Sequence, residues 1–208
     1  MSEAKPVVVY GAGGHGKVVL DALELSGRDV AGFVDDDPQR AGATHCGYPV
    51  AARLGDLGSE EKVVVVVAIG DAVSRGRVTA ELERLGYGLA TVVHPSAVLA
   101  PDVSVGPGAM VLAAAVINPG VRVGRGAIIN TGTVVDHDCA IGDFAHVAPG
   151  ACLAGGVSVG SGALVGIGAV VLPGVKIGAD AVVGASAVVV GDVGDGVTVA
   201  GVPAKPVG

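Results

Sequence analysis

The chain has 208 residues and a net charge of −7, with 36 glycines, 2% aromatic residues and no tryptophan. Without a Lys/Arg cluster or stacking aromatics it is excluded as a nucleic-acid binder, because neutralising phosphates requires concentrated positive charge. A core with so few aromatics must be assembled from Val, Ile, Leu and Ala, which suits thin repeated layers better than an ordinary globule.

The opening stretch, MSEAKPVVVY, lacks the apolar core of a secretory signal, and no apolar run approaches the ~18 residues of a membrane span. The three cysteines, Cys46, Cys139 and Cys152, are an odd number without paired spacing. A cytoplasmic protein with no membrane segment and no disulfide framework is expected.

Residues 5–10 (KPVVVY) predict a short strand, broken by GAGGHG. KVVLDALELSG then has helical spacing, with Val18, Val19, Ala22, Leu23 and Leu25 as its apolar stripe. DVAGFVDDD reads as a second strand ending in acids. The run EKVVVVVAIG predicts a strand buried on both faces of a parallel sheet. DAVSRGRVTAELERLG predicts a second helix and LATVVHP a last short strand, while roughly 37–61 has no assignable period. Residues 1–94 are thus expected to form a Rossmann-like α/β domain.

Gly11-Ala12-Gly13-Gly14-His15-Gly16 matches G-x-G-x-x-G between a strand and a helix, where backbone N–H groups can approach a phosphate. Asp35 follows at about the spacing of an acid on a ribose hydroxyl. Taken alone, the loop favours a dinucleotide, NAD above all. A nucleotide-sugar also has a pyrophosphate and a ribose, and the motif does not separate the two. Asp36 and Asp37 read either as a solvated turn or as one acid contacting ribose or base.

From Ala97 the pattern changes. Residues 97–192 divide into sixteen consecutive hexads; the third residue is Val, Ile or Leu in all sixteen, and the first is Ala, Val, Thr or Cys. First and third positions point the same way along a strand, and Gly, Pro, Asp and Asn at positions four to six turn the chain. This is the signature of a hexapeptide parallel β-helix with three hexads per triangular coil, expected over 95–208. Residues 18 apart then stack. One outward face carries Val98, Val116, Val134, Cys152, Val170 and Val188, and a second Ser104, Arg122, Ala140, Ser158 and Lys176. The third carries Met110, Ile128, His146, Leu164 and Val182. Two apolar faces exceed what a monomer exposes. Packing the first face on a neighbour's third closes as a ring of three, so a homotrimer is expected.

Two histidines interrupt this aliphatic repeat. His137, beside Asp138, lies at the corner between the first and second faces; His146 points out of the third. A histidine next to a carboxylate suits a general base, against the plainer reading of a solvated surface pair. For His146 the plainer reading is an interface residue bonded to backbone. In the trimer, His137 of one chain approaches His146 of the next at the rim of the interface. The residues 18 positions from His137, Pro119 and Gly155, leave room for a ligand. A zinc site among the two histidines, Asp138, Cys139 and Cys152 would need a third imidazole, which the repeat lacks; no metal is expected.

VVVYGAGGHGKVVLDAL, FVDDDP, VAIGD, VHPSA, NTGTVVDHDCAIGDFAHVAPGA and the terminal GVPAK together resemble the nucleotide-sugar acetyltransferases of bacterial glycan biosynthesis. Of these, the sequence is most similar to the bacillosamine-pathway UDP-4-amino-sugar N-acetyltransferase, with perosamine N-acetyltransferases and sialic acid O-acetyltransferases as relatives. The resemblance spans essentially the whole chain. It implies a left-handed β-helix, acetyl-CoA as co-substrate with no permanently bound cofactor, and active sites between subunits of a trimer.

By that resemblance His137 is the general base and Asp138 stands where the family usually has Glu. Asn130 lies near the sugar, and His146, Ile167 and the Gly184-Ala185 stretch contact acetyl-CoA. Gly13, Gly14 and His15 match the substrate phosphate loop, with Ser often at position 13 in relatives; Asp35 and Asp36 match nucleoside contacts and Gly70 a later substrate loop. The expected reaction is direct acetyl transfer to the amine of a nucleotide-linked 4-amino-deoxy sugar. O-acetylation of a sugar such as sialic acid, an NAD-dependent sugar-modifying enzyme and a non-enzymatic ligand-binding scaffold are the alternatives.

Overall fold

The computed structural model describes residues 5–207. The chain divides into two compact units, Met1–Pro95 and Ser96–Gly208.

The first unit is built on a sheet. Strand β1 (Val7–Tyr10) leads into helix α1 (Gly14–Leu25), and β2 (Val30–Val34) lies parallel to β1 with Val9 opposite Phe33. After β3 (Thr44–His45) and β4 (Tyr48–Ala51), strand β5 (Val64–Val67) runs parallel to β1 on its other edge, pairing Val8 with Val65. Helix α2 (Ala72–Arg84) and strand β6 (Gly88–Leu89) follow, giving the order β3-β4-β2-β1-β5-β6. The chain moves outward from β1 through β2 and β4, then returns to the opposite side at β5. Ligands of open sheets bind outside the carboxyl ends of strands at such a reversal, and here those ends carry the glycine loop and Ala68–Gly70.

The unassigned segment resolves into an antiparallel β3–β4 hairpin, with Cys46 (φ 50°) and Gly47 (φ 85°) at its two-residue turn. Such a turn needs positive φ at both central residues; cysteine is not a usual signal for one, which hides it in the sequence. Helix α1 buries Gly16, Val19, Leu20, Ala22 and Leu23, whereas Val18 and Leu25 of the expected stripe are exposed. Gly16 sets this phase, because a Cβ there would lie 2.1 Å from the carbonyl oxygen of Gly11. At the start of α2, Asp71 accepts a hydrogen bond from the Ser74 N–H at 2.8 Å, a standard amino-terminal cap.

The second unit is a parallel β-helix. Each hexad contributes a two-residue strand at its second and third positions, and strands 18 residues apart stack in parallel, as in Val116↔Val134↔Cys152 and Ile128↔His146↔Leu164. Three such sheets form the walls, and the first and third hexad residues fill one continuous aliphatic core. Thr133 alone places a hydroxyl at a first position, and it donates to the Ala148 carbonyl. From Gly108 to Ser186 every sixth residue has positive φ, among them the non-glycines Ala114, Asp138, Phe144, Asp180 and Ser186. Beyond the hexads, Thr198–Ala200 extends the third sheet along Val182–Val183 and pairs antiparallel with Lys205–Pro206.

The outward faces differ from expectation in one respect. Val98, Val134 and Val170 on the first sheet are exposed, but Met110 and Ile128 on the third are fully buried within the chain, so that face is only partly open. Among the described residues, no helix is long and apolar enough to cross a membrane.

Candidate active site

His137 and Asp138 occupy the fifth and sixth positions of their hexad, in the turn that follows Val134–Val135 of the first sheet. Asp138 holds a left-handed backbone (φ 59°), a conformation that Asp tolerates better than most residues. It brings the carboxylate back to its neighbour, and Oδ2 lies 2.9 Å from His137 Nδ1. Both side chains face solvent, at 61% and 75% exposure. On the other flank, Asp136 Oδ1 accepts from the backbone N–H of His137 and from Asn118 Nδ2, both at 2.8 Å. The Asp138 hydrogen bond, reinforced by the charge of Asp136, raises the His137 pKa above its ordinary value. The same backbone bond and that of Asn118 hold Asp136 below the usual carboxylate range. This arrangement leaves Nε2 as the nitrogen that can take a proton, with a carboxylate to stabilise the imidazolium. The expected vacant space beside Gly155 is occupied by the His137 ring itself.

A second pair forms on the third sheet. Asn130 Nδ2 is 3.0 Å from His146 Nε2, and Asn130 Oδ1 accepts from Thr131 N–H at 2.8 Å. The sequence reading gives these residues to different ligands; the fold makes them one unit. Ile167 and Ala185 are fifth-position residues in turns that follow the third sheet, and Ile167 O accepts from Ser186 N–H. Ile167 is 60% exposed, and Gly184 precedes Ala185 in the same turn. The residues matched to acetyl-CoA therefore run along the third sheet and the edge after it, while the His137–Asp138 pair sits on the edge after the first.

In the first unit, Gly13 precedes α1 without a side-chain cap, leaving the helix amino terminus open. A Cβ on Gly14 would meet nothing within 4 Å, and one on Gly13 only Arg40. His15, half-buried, has its pKa pushed down to about 4 by burial and then by the charge of Arg75. The carboxylate of Asp35 is committed to the protein: it accepts from Ala12 N–H at 2.7 Å and Asp37 N–H at 3.0 Å, and pairs with Arg40 at 3.1 Å. Asp36 accepts the Tyr10 hydroxyl, and burial with this bond pushes the phenol's pKa up. These two residues line a cavity of about 280 Å3 together with Arg53, Arg77 and Leu54. Fully buried Arg75 donates to the carbonyls of Ile69 and Gly70, both at 2.7 Å.

Sequence reasoning overlooked Arg75, Arg40, Asn118 and Asp136. Only Asp136 left a trace, as the first acid of Asp-His-Asp. Among the described residues, no three of His, Cys, Asp and Glu gather as a metal site.

Residues 6–82 match the PglD N-terminal domain. No curated protein matches the chain. Among solved structures, a mutant perosamine N-acetyltransferase from Caulobacter crescentus, with histidine replaced by asparagine and in complex with CoA and GDP-perosamine, is 45% identical. The match covers 98% of this chain and 97% of that one, with a TM-score of 0.91. The acetyltransferase domain of PglB from Neisseria gonorrhoeae, solved with acetyl coenzyme A, is 36% identical over 98% and 99% of the two chains, TM-score 0.91. WeeI from Acinetobacter baumannii is 30% identical over 98% and 100%, TM-score 0.83. The chain belongs to the nucleotide-sugar N-acetyltransferase family.

Proposed function

We propose that this enzyme transfers the acetyl group of acetyl-CoA to the amine of a nucleotide-linked 4-amino-deoxy sugar, with His137 as general base. The observation that carries the reading is the His137–Asp138 pair: a solvent-facing imidazole with Nδ1 held by a carboxylate and Nε2 available, set in an otherwise aliphatic coil. The relatives solved with CoA, GDP-perosamine or acetyl-CoA support the substrate classes.

The amine nitrogen attacks the thioester carbonyl carbon while Nε2 takes one of its protons. The tetrahedral intermediate collapses, the C–S bond breaks, and the imidazolium returns the proton to the departing thiolate. Positioning and the base together account for the acceleration. No acyl-enzyme is needed: Cys139 is buried, and burial pushes its thiol pKa up, away from the nucleophilic thiolate.

In this reading Asn130 and His146, with Ile167, Gly184 and Ala185, hold the coenzyme and the sugar's reacting end. Gly13, Gly14, His15 and Gly70 receive the diphosphate and sugar. Asp36 faces the nucleoside, and Asp35 shapes the loop from within. Since the base and the coenzyme residues occupy different edges of one prism, a complete site takes residues from two chains of a homotrimer. The setting is the cytoplasm, where acetyl-CoA and nucleotide-sugars are available, and the role is in glycan biosynthesis.

The test is thiol release from acetyl-CoA with UDP-, GDP- and dTDP-linked 4-amino-6-deoxy sugars and with sialic acid. Release with one nucleotide-amino-sugar supports the reading and identifies the nucleotide. Release with sialic acid alone would replace it with O-acetylation.

A further inference from the structure

Of the sixteen fifth positions in the hexads, only Gly155 and Gly191 are glycine. Gly155 makes no use of glycine's conformational freedom. Its φ lies outside the left-handed region, and the coil bonds around it are ordinary, with Gly155 O accepting from Gly174 N–H at 3.0 Å and Gly156 N–H donating to His137 O at 2.8 Å. What distinguishes it is the space above its Cα. A Cβ at 155 would lie 2.5 Å from His137 Nε2, 2.6 Å from Cε1 and 3.2 Å from Cδ2, and these three ring atoms are its nearest neighbours. At Gly191 the same test finds nothing within 4 Å.

We propose that Gly155 is a positioning residue for His137: its missing side chain is the seat of the imidazole, and any larger residue there displaces the ring without disturbing the coil. This role follows from that of His137 as general base. The exposed imidazole is fixed at one end by Asp138 Oδ2 on Nδ1 and at the other by the surface of the next coil. The neighbour one coil earlier is Pro119, so glycine is found only on the side toward which the ring leans. Carbon and nitrogen do not approach to 2.5 Å, so a Cβ must move something. The ring is the mobile end of an open side chain, whereas residue 155 is held by the coil's hydrogen-bond ladder. The ring therefore swings out, loses Asp138 and carries Nε2 away from the acceptor amine. The cost falls on catalysis and not on folding.

The experiment compares Gly155→Ala, Gly191→Ala, His137→Ala and the Gly155→Ala/His137→Ala double variant in the full-length protein. Readouts are thermal melting, acetyl-CoA KM, kcat by thiol release with the acceptor panel above, and an imidazole NMR titration without substrate. Gly155→Ala is expected to melt within about 2 °C of the parent and keep KM within about twofold, while kcat falls at least about tenfold. Its His137 resonance should titrate closer to the ordinary 6.5, because the Asp138 bond is lost while the charge of Asp136 remains. Gly191→Ala should match the parent, and Gly155→Ala should have no further effect once His137 is absent. An unchanged kcat and titration would overturn the proposal, as would an equal loss of activity in the His137→Ala background. Slow His137→Ala with normal Gly155→Ala would sink the seat alone. Normal turnover by His137→Ala would remove the general base and the seat with it.

Discussion

Asn130 Nδ2 lies 3.0 Å from His146 Nε2, while the same amide's oxygen accepts from Thr131 N–H. The backbone bond orients the amide so that its NH2 faces the ring. When the ring is neutral, this orientation makes His146 Nε2 the acceptor and places the ring proton on Nδ1. Asn130→Ala removes a hydrogen bond worth about 1 kcal/mol and frees the tautomer. The expected outcome is an acetyl-CoA KM raised about fivefold with kcat changed less, read by steady-state kinetics. A loss confined to the sugar KM would separate Asn130 from the coenzyme.

His137→Ala should lower kcat by about 10²–10⁴, the usual range for a general base, with the melting temperature unchanged. The second expectation follows from exposure: a side chain at 61% supports little packing. Circular dichroism melts and thiol release on the same preparation check both. Turnover near the parent's would end the assignment.

Asp138→Asn tests the pH dependence. The base works when neutral, so activity rises as pH climbs through the His137 pKa. That pKa is raised, first by the Asp138 bond and then by the charge of Asp136. The acid limb of kcat/KM should therefore lie above 6.5 in the parent and move down in Asp138→Asn, with a lower plateau from poorer ring orientation. The linked stability term has the opposite sense. A raised folded-state pKa stabilises the fold fully below the unfolded value, and that stability fades as pH rises through the folded value; at this exposure it is small. An acid limb that does not shift in Asp138→Asn would deny the carboxylate its role.

Arg75→Met should destabilise the first unit by about 2 kcal/mol, since two carbonyls that the guanidinium satisfies lose their donor. Urea denaturation measures this. The charge of Arg75 also helps to depress His15, whose pKa is about 4. The variant should let that value rise, though burial, the larger cause, keeps it below 6.5. A His15 titration that does not move would mean the two groups are screened from each other.

Val134→Asp addresses assembly. Val134 points outward and exposed between Val116 and Cys152 on the first sheet, where the proposed trimer buries it. An isolated carboxylate in an apolar contact is costly. Light scattering should show the trimer replaced by monomer, with activity lost at concentrations where His137→Ala remains trimeric. A parent protein that is monomeric at micromolar concentration would exclude the intersubunit site.

The hexad register was legible residue by residue, because each coil repeats the same local environment: first and third positions inward, second outward, the rest turning. The β1 and β5 strands were legible for the related reason that an unbroken valine run suits a doubly covered strand. The β3–β4 hairpin was not, because its turn rests on a cysteine that tertiary context holds at positive φ. The phase of α1 was also hidden, since it is set by the contact of Gly16 with Gly11 and not by the helix's own apolar spacing.

The site divides in the same way. His137 and Asp138 are adjacent in the chain, so their pairing could be read from order alone, and the 18-residue stacking rule names Gly155 as a neighbour. What that rule does not contain is the direction in which a side chain leans. Only the folded coil turns the His137 ring onto Gly155, closes Asn130 on His146 and commits the oxygens of Asp35 to the loop at Ala12. Backbone periodicity is a local property that composition can announce. Rotamers and loop contacts are decided by what else occupies the space, and that is known only once the chain has packed.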